Sequence, residues 1–463
     1  MFHTAFVMLL ATLPSRAQDS VVARGPLGQQ LDSVLRSAEA RGFHGNVLVA
    51  IAGQTVLLKG CGFSDEGART RFSPSTIVQI GSNVKDFTKV AILQLGEAGL
   101  LSLDDSITRF FPSVPSDKRA ITVRHLLNHA AGFPMAIGPD KEVIDRDTFL
   151  ERLWNTPLAF RPGEGREYSN PGYSVLAAII EKLSGESYDR YVTDHILSPI
   201  GMRETGYLLP GFERKRLAHG YNSSGDIGTM LDHPHASDGH WWNLRGNGGF
   251  LSTLSEMASF YRTLLDGGLL KSAEDRAMVI NPAPGGPSVL AGSDQTSFFL
   301  YGRFPGVRAT VIIATNHVDW AGPRVLREIE PVLGIEDSHG KIATGPRVTG
   351  PLAPGLPQNG AGQTIAAYFQ AYNTGDSAVM RRFFETHGSQ APTGAPIGTR
   401  VQRYLQLWAN LGRLTVRGWR QVPDGQGTIT VEAGSAQGGT VTLTFAIGDG
   451  PAYPLLGVRV EVG

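Results

Sequence analysis

Strand-like runs stand at both ends of the first three hundred residues, and helical segments fill the space between them. Near the start, His44–Ile51 and Thr55–Leu58 are β-rich and are separated by the Gly-containing link Ala52-Gly53-Gln54, which signals a hairpin. Strand character returns at Ser297–Leu300 and Arg308–Ala314. Strands that open and close a domain around a helical region imply an antiparallel sheet whose first and last strands are neighbours, with the helices to one side. The expected class is therefore α+β.

Residues 28 to 41 read as a helix, with Leu31, Val34, Leu35 and Ala38 on one side. A longer helix is predicted to start at Ser82, carrying Phe87, Val90, Ala91, Leu95 and Ala98 at helical spacing and ending at Gly99. At 463 residues the chain exceeds one compact core, and a 41% hydrophobic content supports folded domains. Residues 18–337 form the expected first domain and the Gly- and Pro-rich stretch 338–360 a linker, leaving 361–463 as a second unit. In that unit Thr364–Glu385 is amphipathic and Val401–Leu411 is helical, followed by strand runs Leu414–Trp419, Thr428–Glu432 and Thr440–Phe445.

Lys plus Arg and Asp plus Glu number 42 each, a balance that gives no reason to expect nucleic acid or an anionic surface as partner. The single cysteine, Cys61, lies in an apolar-to-Gly stretch and reads as a small buried hydrophobe. The apolar run Thr4–Leu13 is too short to span a bilayer; with Ser15 and Ala17 behind it, it reads as a signal peptide cleaved after Ala17. The expected location is periplasmic or secreted, with no transmembrane segment after signal removal.

Ser82-Asn83-Val84-Lys85 is an S-x-x-K tetrad at the start of an apolar-faced helix. Residues three apart share a helix face, so the hydroxyl and the amine can meet. A serine needs a base to become a nucleophile, and a lysine serves if burial lowers its pKa. A second tetrad, Ser338–Lys341, opens no apolar helix.

The stretch Ile80–Thr88 resembles the nucleophile motif of the serine β-lactamase and D-alanyl-D-alanine-peptidase superfamily. Gly99–Asp105 and Ile121–Gly132 follow its pattern in order, Tyr168-Ser169-Asn170 is similar to its Y-x-N motif, and Gly248–Thr253 to its Gly-Gly-x-x-Ser-Thr segment. The resemblance spans roughly residues 40 to 320. It implies a class C β-lactamase-related serine hydrolase with a β-lactamase/transpeptidase-like fold, working through an acyl-enzyme without a cofactor. Ser82 would attack a carbonyl, Lys85 would take its proton, Tyr168 would share proton transfer with a pKa lowered by the neighbouring ammonium, and Asn170 would orient the substrate. The superfamily's third motif, a strand with Lys or His, a small residue and Gly, is best placed at Ser288–Ser293. Gly292 is kept, but Leu290 and Ala291 bring no cation. Backbone N–H groups of Ser82 and Ser293 can still form an oxyanion hole. The expected substrate is a small-molecule or peptide ester or amide without a carboxylate. The competing reading is a silent relative that binds cell-wall peptide or a protein partner.

Asp232, His233, His235, Asp238 and His240 are metal-binding residue types, but Pro234 and the lack of a helical i,i+4 pair argue against a site. Trp241 and Trp242 either line a cleft or pack. His129, before a Gly turn, reads as a hydrogen-bonded structural residue. The Ala371–Asp376 segment resembles small cone-shaped NTF2-like domains and carries no expected catalytic residue.

Overall fold

The computed structural model describes residues 21–207, 213–222, 225–280, 286–293, 296–317, 321–335, 353–388, 397–421, 428–437, 440–447, 453 and 455–462. The expected signal peptide and the second tetrad lie outside them. The chain divides into two compact units, residues 1–337 and 338–463.

The first unit is built on a six-stranded antiparallel sheet. Its order is Val22–Ala23, Gln54–Cys61, Gly45–Ile51, Ala309–Thr315, Phe298–Phe304, Ser288–Ser293. The chain ends do meet: Gly45–Ile51 pairs antiparallel with Ala309–Thr315 from Gly45 opposite Thr315 to Ile51 opposite Ala309. The hairpin turn is shorter than expected. Ala52 (φ 50°) and Gly53 (φ 80°) are both left-handed, as a two-residue type I′ turn requires, so Gln54 joins the strand.

The two central strands read as nearly unbroken apolar runs because both faces of the sheet are covered. Val47, Val49, Val311 and Ile313 pack with Leu31 and Leu35 of the Gly25–Ala40 helix and with Leu326 and Ile329 of the Ala321–Val332 helix. Leu48, Ala50, Ile312 and Ala314 point the other way, into the larger core. There they join Phe87 and Val90 of the Val84–Glu97 helix and Phe260 and Leu264 of the Leu254–Leu265 helix. Cys61 is fully buried, and burial pushes its thiol up to about 12, which suits an inert core residue.

In the second unit the predicted amphipathic stretch Thr364–Glu385 is two helices, Gly360–Tyr372 and Ser377–His387. Gly375 (φ 72°) turns the chain, and the Asp376 carboxylate accepts the Ala378 N–H at 2.7 Å as an N-cap. The apolar pattern runs through the break because both helices face one core. The helix Ile397–Leu411 follows, then a four-stranded antiparallel meander in sequence order: Leu414–Gln421, Thr428–Ser435, Thr440–Ile447, Leu455–Val462. The last of these strands, Leu455–Val462, adds to the three expected. Ala353 pairs with Trp419 and Asn359 caps the first helix, so residues 353–359 belong to this unit and not to a linker.

Candidate active site

Ser82 sits in a single 3-10 turn, Gly81–Asn83, and the α-helix proper begins at Val84. The expected helix start at Ser82 is thus displaced by two residues, but the i,i+3 relation holds across the junction. Lys85 Nζ lies 3.2 Å from Ser82 Oγ. The Tyr168 hydroxyl donates to the same oxygen at 2.8 Å, from a loop 86 residues away in sequence. The three groups expected to share the proton transfer therefore meet at one oxygen.

Lys85 is only 4% exposed. Its ammonium has one further hydrogen-bond acceptor in reach, the Asn247 carbonyl at 2.8 Å, and it lies 4.8 Å from the Tyr168 ring centre and 5.6 Å from that of Tyr173. Burial pulls its pKa down to about 7, and the Asp140 carboxylate opposes this only partly. A neutral amine keeps two hydrogens and one lone pair. With the Asn247 carbonyl taking a hydrogen, the lone pair can face Ser82.

Tyr168 corrects an expectation. Its pKa is pushed up to about 12, not lowered. The residue exposes 41% of its surface, yet packed protein surrounds its hydroxyl, and this desolvation outweighs both the Ser82 hydrogen bond and the attraction of Lys89. Tyr168 is a neutral phenol at physiological pH and acts as a donor.

His129 fixes that phenol. Its backbone is left-handed (φ 58°), a strained state for a non-glycine residue. The strain is offset by hydrogen bonds on both sides of Tyr168: the His129 carbonyl accepts the Glu167 N–H at 3.0 Å, and its Nδ1 accepts the Ser169 N–H at 3.1 Å. The imidazole packs against the Tyr168 ring at a tilt of 31°, with the ring centres 4.5 Å apart. Burial, reinforced by Lys85, pushes its pKa down to about 3, so it stays neutral and is a poor base. This matches the structural role expected of it.

Asn170 opens the Asn170–Ser184 helix behind the Ser169 N-cap, and its Oδ1 is shut off from solvent without a hydrogen-bond partner. Gly292 and Ser293 lie at the end of the edge strand Ser288–Ser293, directly against the serine turn. A Cβ on Gly292 would strike the Ser82 nitrogen and come within 2.7 Å of Asn83 Oδ1 and Ile80 O. A Cβ on Gly81 would lie 2.7 Å from the Ser293 nitrogen. The two main-chain nitrogens nominated for an oxyanion hole thus flank one seam, which only glycines can close. Gly292→Ala is expected to push the strand off the serine turn and slow acylation by about 100-fold, the scale of losing one oxyanion donor. Stopped-flow acylation rates would measure this.

Several residues of the site left no local signal in the sequence. Asn83 Nδ2 donates to the Tyr261 hydroxyl at 2.9 Å, and that hydroxyl donates to the buried Asp86 carboxylate at 2.8 Å. Tyr261 in turn stacks on Tyr301 of the sheet at 3.7 Å. This chain of contacts ties the serine turn to helix Leu254–Leu265 and to the strand Phe298–Phe304. Asn247 fixes its own loop by donating to Ser174 Oγ and the Asn243 carbonyl.

The candidate ligands of the Asp232–Trp242 segment have other partners. Asp232 caps Thr229 and pairs with Arg214, Asp238 pairs with the buried Arg245, and His240 meets the Gly249 carbonyl at 3.1 Å. Trp242 is buried and Trp241 packs against the same core, so both serve packing.

Residues 31–301 match the beta-lactamase family. Protein flp of Staphylococcus aureus (strain MW2) is 31% identical over 207 residues, covering 42% of this chain and 42% of its own length. Penicillin-binding protein 4* of Bacillus subtilis (strain 168) is 33% identical over 190 residues, or 39% of this chain and 42% of its own length. The match therefore spans less than half the length of these curated relatives. Among solved structures, FmtA from Staphylococcus aureus superimposes with a TM-score of 0.60 at 20% identity, over 70% of this chain and 93% of that one. D-amino acid amidase from Ochrobactrum anthropi SV3 gives 0.56 at 22% identity, over 67% and 98%. These two likenesses establish a β-lactamase/transpeptidase-like fold.

Proposed function

The chain belongs to the beta-lactamase family, and from that premise we propose that it is a serine hydrolase that cleaves an ester or amide through an acyl-enzyme on Ser82. The observation that carries this reading is the position of Ser82 Oγ, 3.2 Å from a buried amine and 2.8 Å from a neutral phenol.

In this reading neutral Lys85 takes the Ser82 proton as Oγ attacks the carbonyl. The N–H groups of Ser82 and Ser293 receive the developing oxyanion. Tyr168 gives its proton to the departing nitrogen or oxygen, and the Lys85 ammonium then restores it. Water repeats the sequence in reverse to free the acid. Asn170, which opens its helix two residues after Tyr168, takes in this reading the substrate-orienting role that the family pattern implies.

The edge strand presents Leu290 and Ala291 where the family pattern has a cation, which favours substrates without a carboxylate at that end. The same feature supports a second reading, a silent relative that binds peptide. A panel of esters, D-amino-acid peptides and β-lactams with mass detection of acyl-Ser82 separates the two: adducts with uncharged esters or amides support the enzyme, and no adduct with any acyl or fluorophosphonate probe favours the binder. We further propose export, on the strength of the Thr4–Leu13 run and Ser15/Ala17. N-terminal sequencing of secreted protein should then begin at Gln18, and retention of Met1 would refute it.

A further inference from the structure

Away from Ser82, a second group of chemistry-bearing side chains is brought together by the sheet topology. His44 immediately precedes the strand Gly45–Ile51, and His317 lies two residues beyond the end of Ala309–Thr315. Those strands are neighbours with Gly45 opposite Thr315, so both histidines emerge at one end of the sheet. Glu66 comes from the turn between Phe63–Asp65 and Thr70–Arg71.

Glu66 Oε1 is 3.3 Å from His44 Nδ1 and 3.0 Å from His317 Nε2, and the two imidazole rings meet edge to face at 5.2 Å. All three donor atoms lie within 4.8 Å of one another. Around a tetrahedral zinc ion with bonds of about 2.0–2.1 Å, neighbouring ligand atoms stand about 3.3 Å apart. Both histidine–glutamate separations are close to that edge, and the third pair lies within 4.8 Å.

The surroundings also suit a metal. Tyr221 stacks on the His317 ring at 4.9 Å and 12°, and its hydroxyl accepts the Glu66 N–H at 2.8 Å, so one residue orients two of the three donors. The Phe63 N–H approaches His44 Nδ1 at 3.4 Å, a long contact that coordination would replace. The side chains are 21%, 42% and 33% exposed for His44, Glu66 and His317, so an ion can enter and water can complete the shell. The neighbouring trio Asp65, His219 and Asp226 is different. His219 faces Asp226 through Nδ1 and Asp65 through Nε2, so both its nitrogens are already engaged and it adds only charge.

We propose that His44, Glu66 and His317 form a binding site for a first-row divalent metal ion, zinc by preference, which fastens the Phe63–Arg71 hairpin to the end of the main sheet. Two imidazoles and one carboxylate select zinc-like ions over calcium or magnesium, which require oxygen ligands.

The test uses the full chain, stripped with a chelator and titrated with zinc chloride by calorimetry, with bound metal counted by mass spectrometry. One zinc per chain is expected, with a Tm that climbs with zinc concentration. Glu66→Gln, His44→Gln and His317→Gln should each weaken binding by at least about tenfold. His195→Gln, which removes an unrelated surface histidine paired with Glu186, should not. Glu66→Gln is nearly isosteric and decides the matter if a histidine variant misfolds, as judged by circular dichroism. Absence of stoichiometric binding at millimolar zinc, or unchanged affinity in a folded Glu66→Gln, overturns the proposal and leaves Glu66 as an ion-pair partner of the two histidines. Hydrolysis is not the readout, so the outcome is independent of Ser82.

Discussion

Ser82→Ala is expected to lower kcat on the best ester or amide substrate by about a million-fold, the scale of losing a serine nucleophile, and to abolish covalent labelling. The hydroxyl is the point where the Lys85 amine and the Tyr168 phenol converge, and an alanine methyl can neither attack nor receive either hydrogen bond. Residual turnover of about 1,000–10,000-fold over water can persist if the main-chain nitrogens of Ser82 and Ser293 still hold the carbonyl. Stability should change by no more than about 1 kcal/mol, since one half-buried hydroxyl is removed. A variant that folds normally and turns over within tenfold of wild type would place the chemistry elsewhere and end the acyl-enzyme reading.

Lys85→Ala should reduce kcat by about 100- to 10,000-fold, the usual weight of a general base, and it should also change the pH profile. In the proposed mechanism Lys85 acts only as the free amine. With its folded pKa pulled to about 7, kcat/KM of the wild type should fall tenfold per pH unit below that value, and the variant should lose this limb. Tyr168 adds no limb until about 12.

The same shift has a stability signature of definite sign. The folded pKa of Lys85 lies below the ordinary value of 10.5, so between these two values the unfolded chain binds the extra proton and stability rises with pH. Below about 7 both states are charged, and the full cost of burying the ammonium is present. Lys85→Met should therefore raise Tm most at about pH 6 and least at about pH 10, as thermal scans at the two pH values would record. Equal Tm gains at both would mean that the lysine carries no buried charge. His129→Ala, by contrast, should lower kcat with little change in KM while leaving the limb near pH 7 in place, because it removes the support of Tyr168 and not a proton carrier.

Local sequence determined a good deal of this protein. The strand runs flanking a helical region specified an antiparallel sheet closed by the chain ends, because alternation and turn chemistry act over a few residues and survive any later packing. The order of the Ser82, Tyr168 and Gly292 segments marked which groups to watch. Tertiary structure decided the rest. Whether the break at Gly375 divides one amphipathic stretch into two helices depends on a single left-handed residue, to which apolar periodicity is blind. The direction of the Tyr168 shift could not be read from its neighbours in sequence, since desolvation is set by segments that pack around the hydroxyl from elsewhere in the chain. Asn247, Tyr261 and His129 take their roles from partners 162, 175 and 40 residues distant, and such contacts exist only once the core has closed.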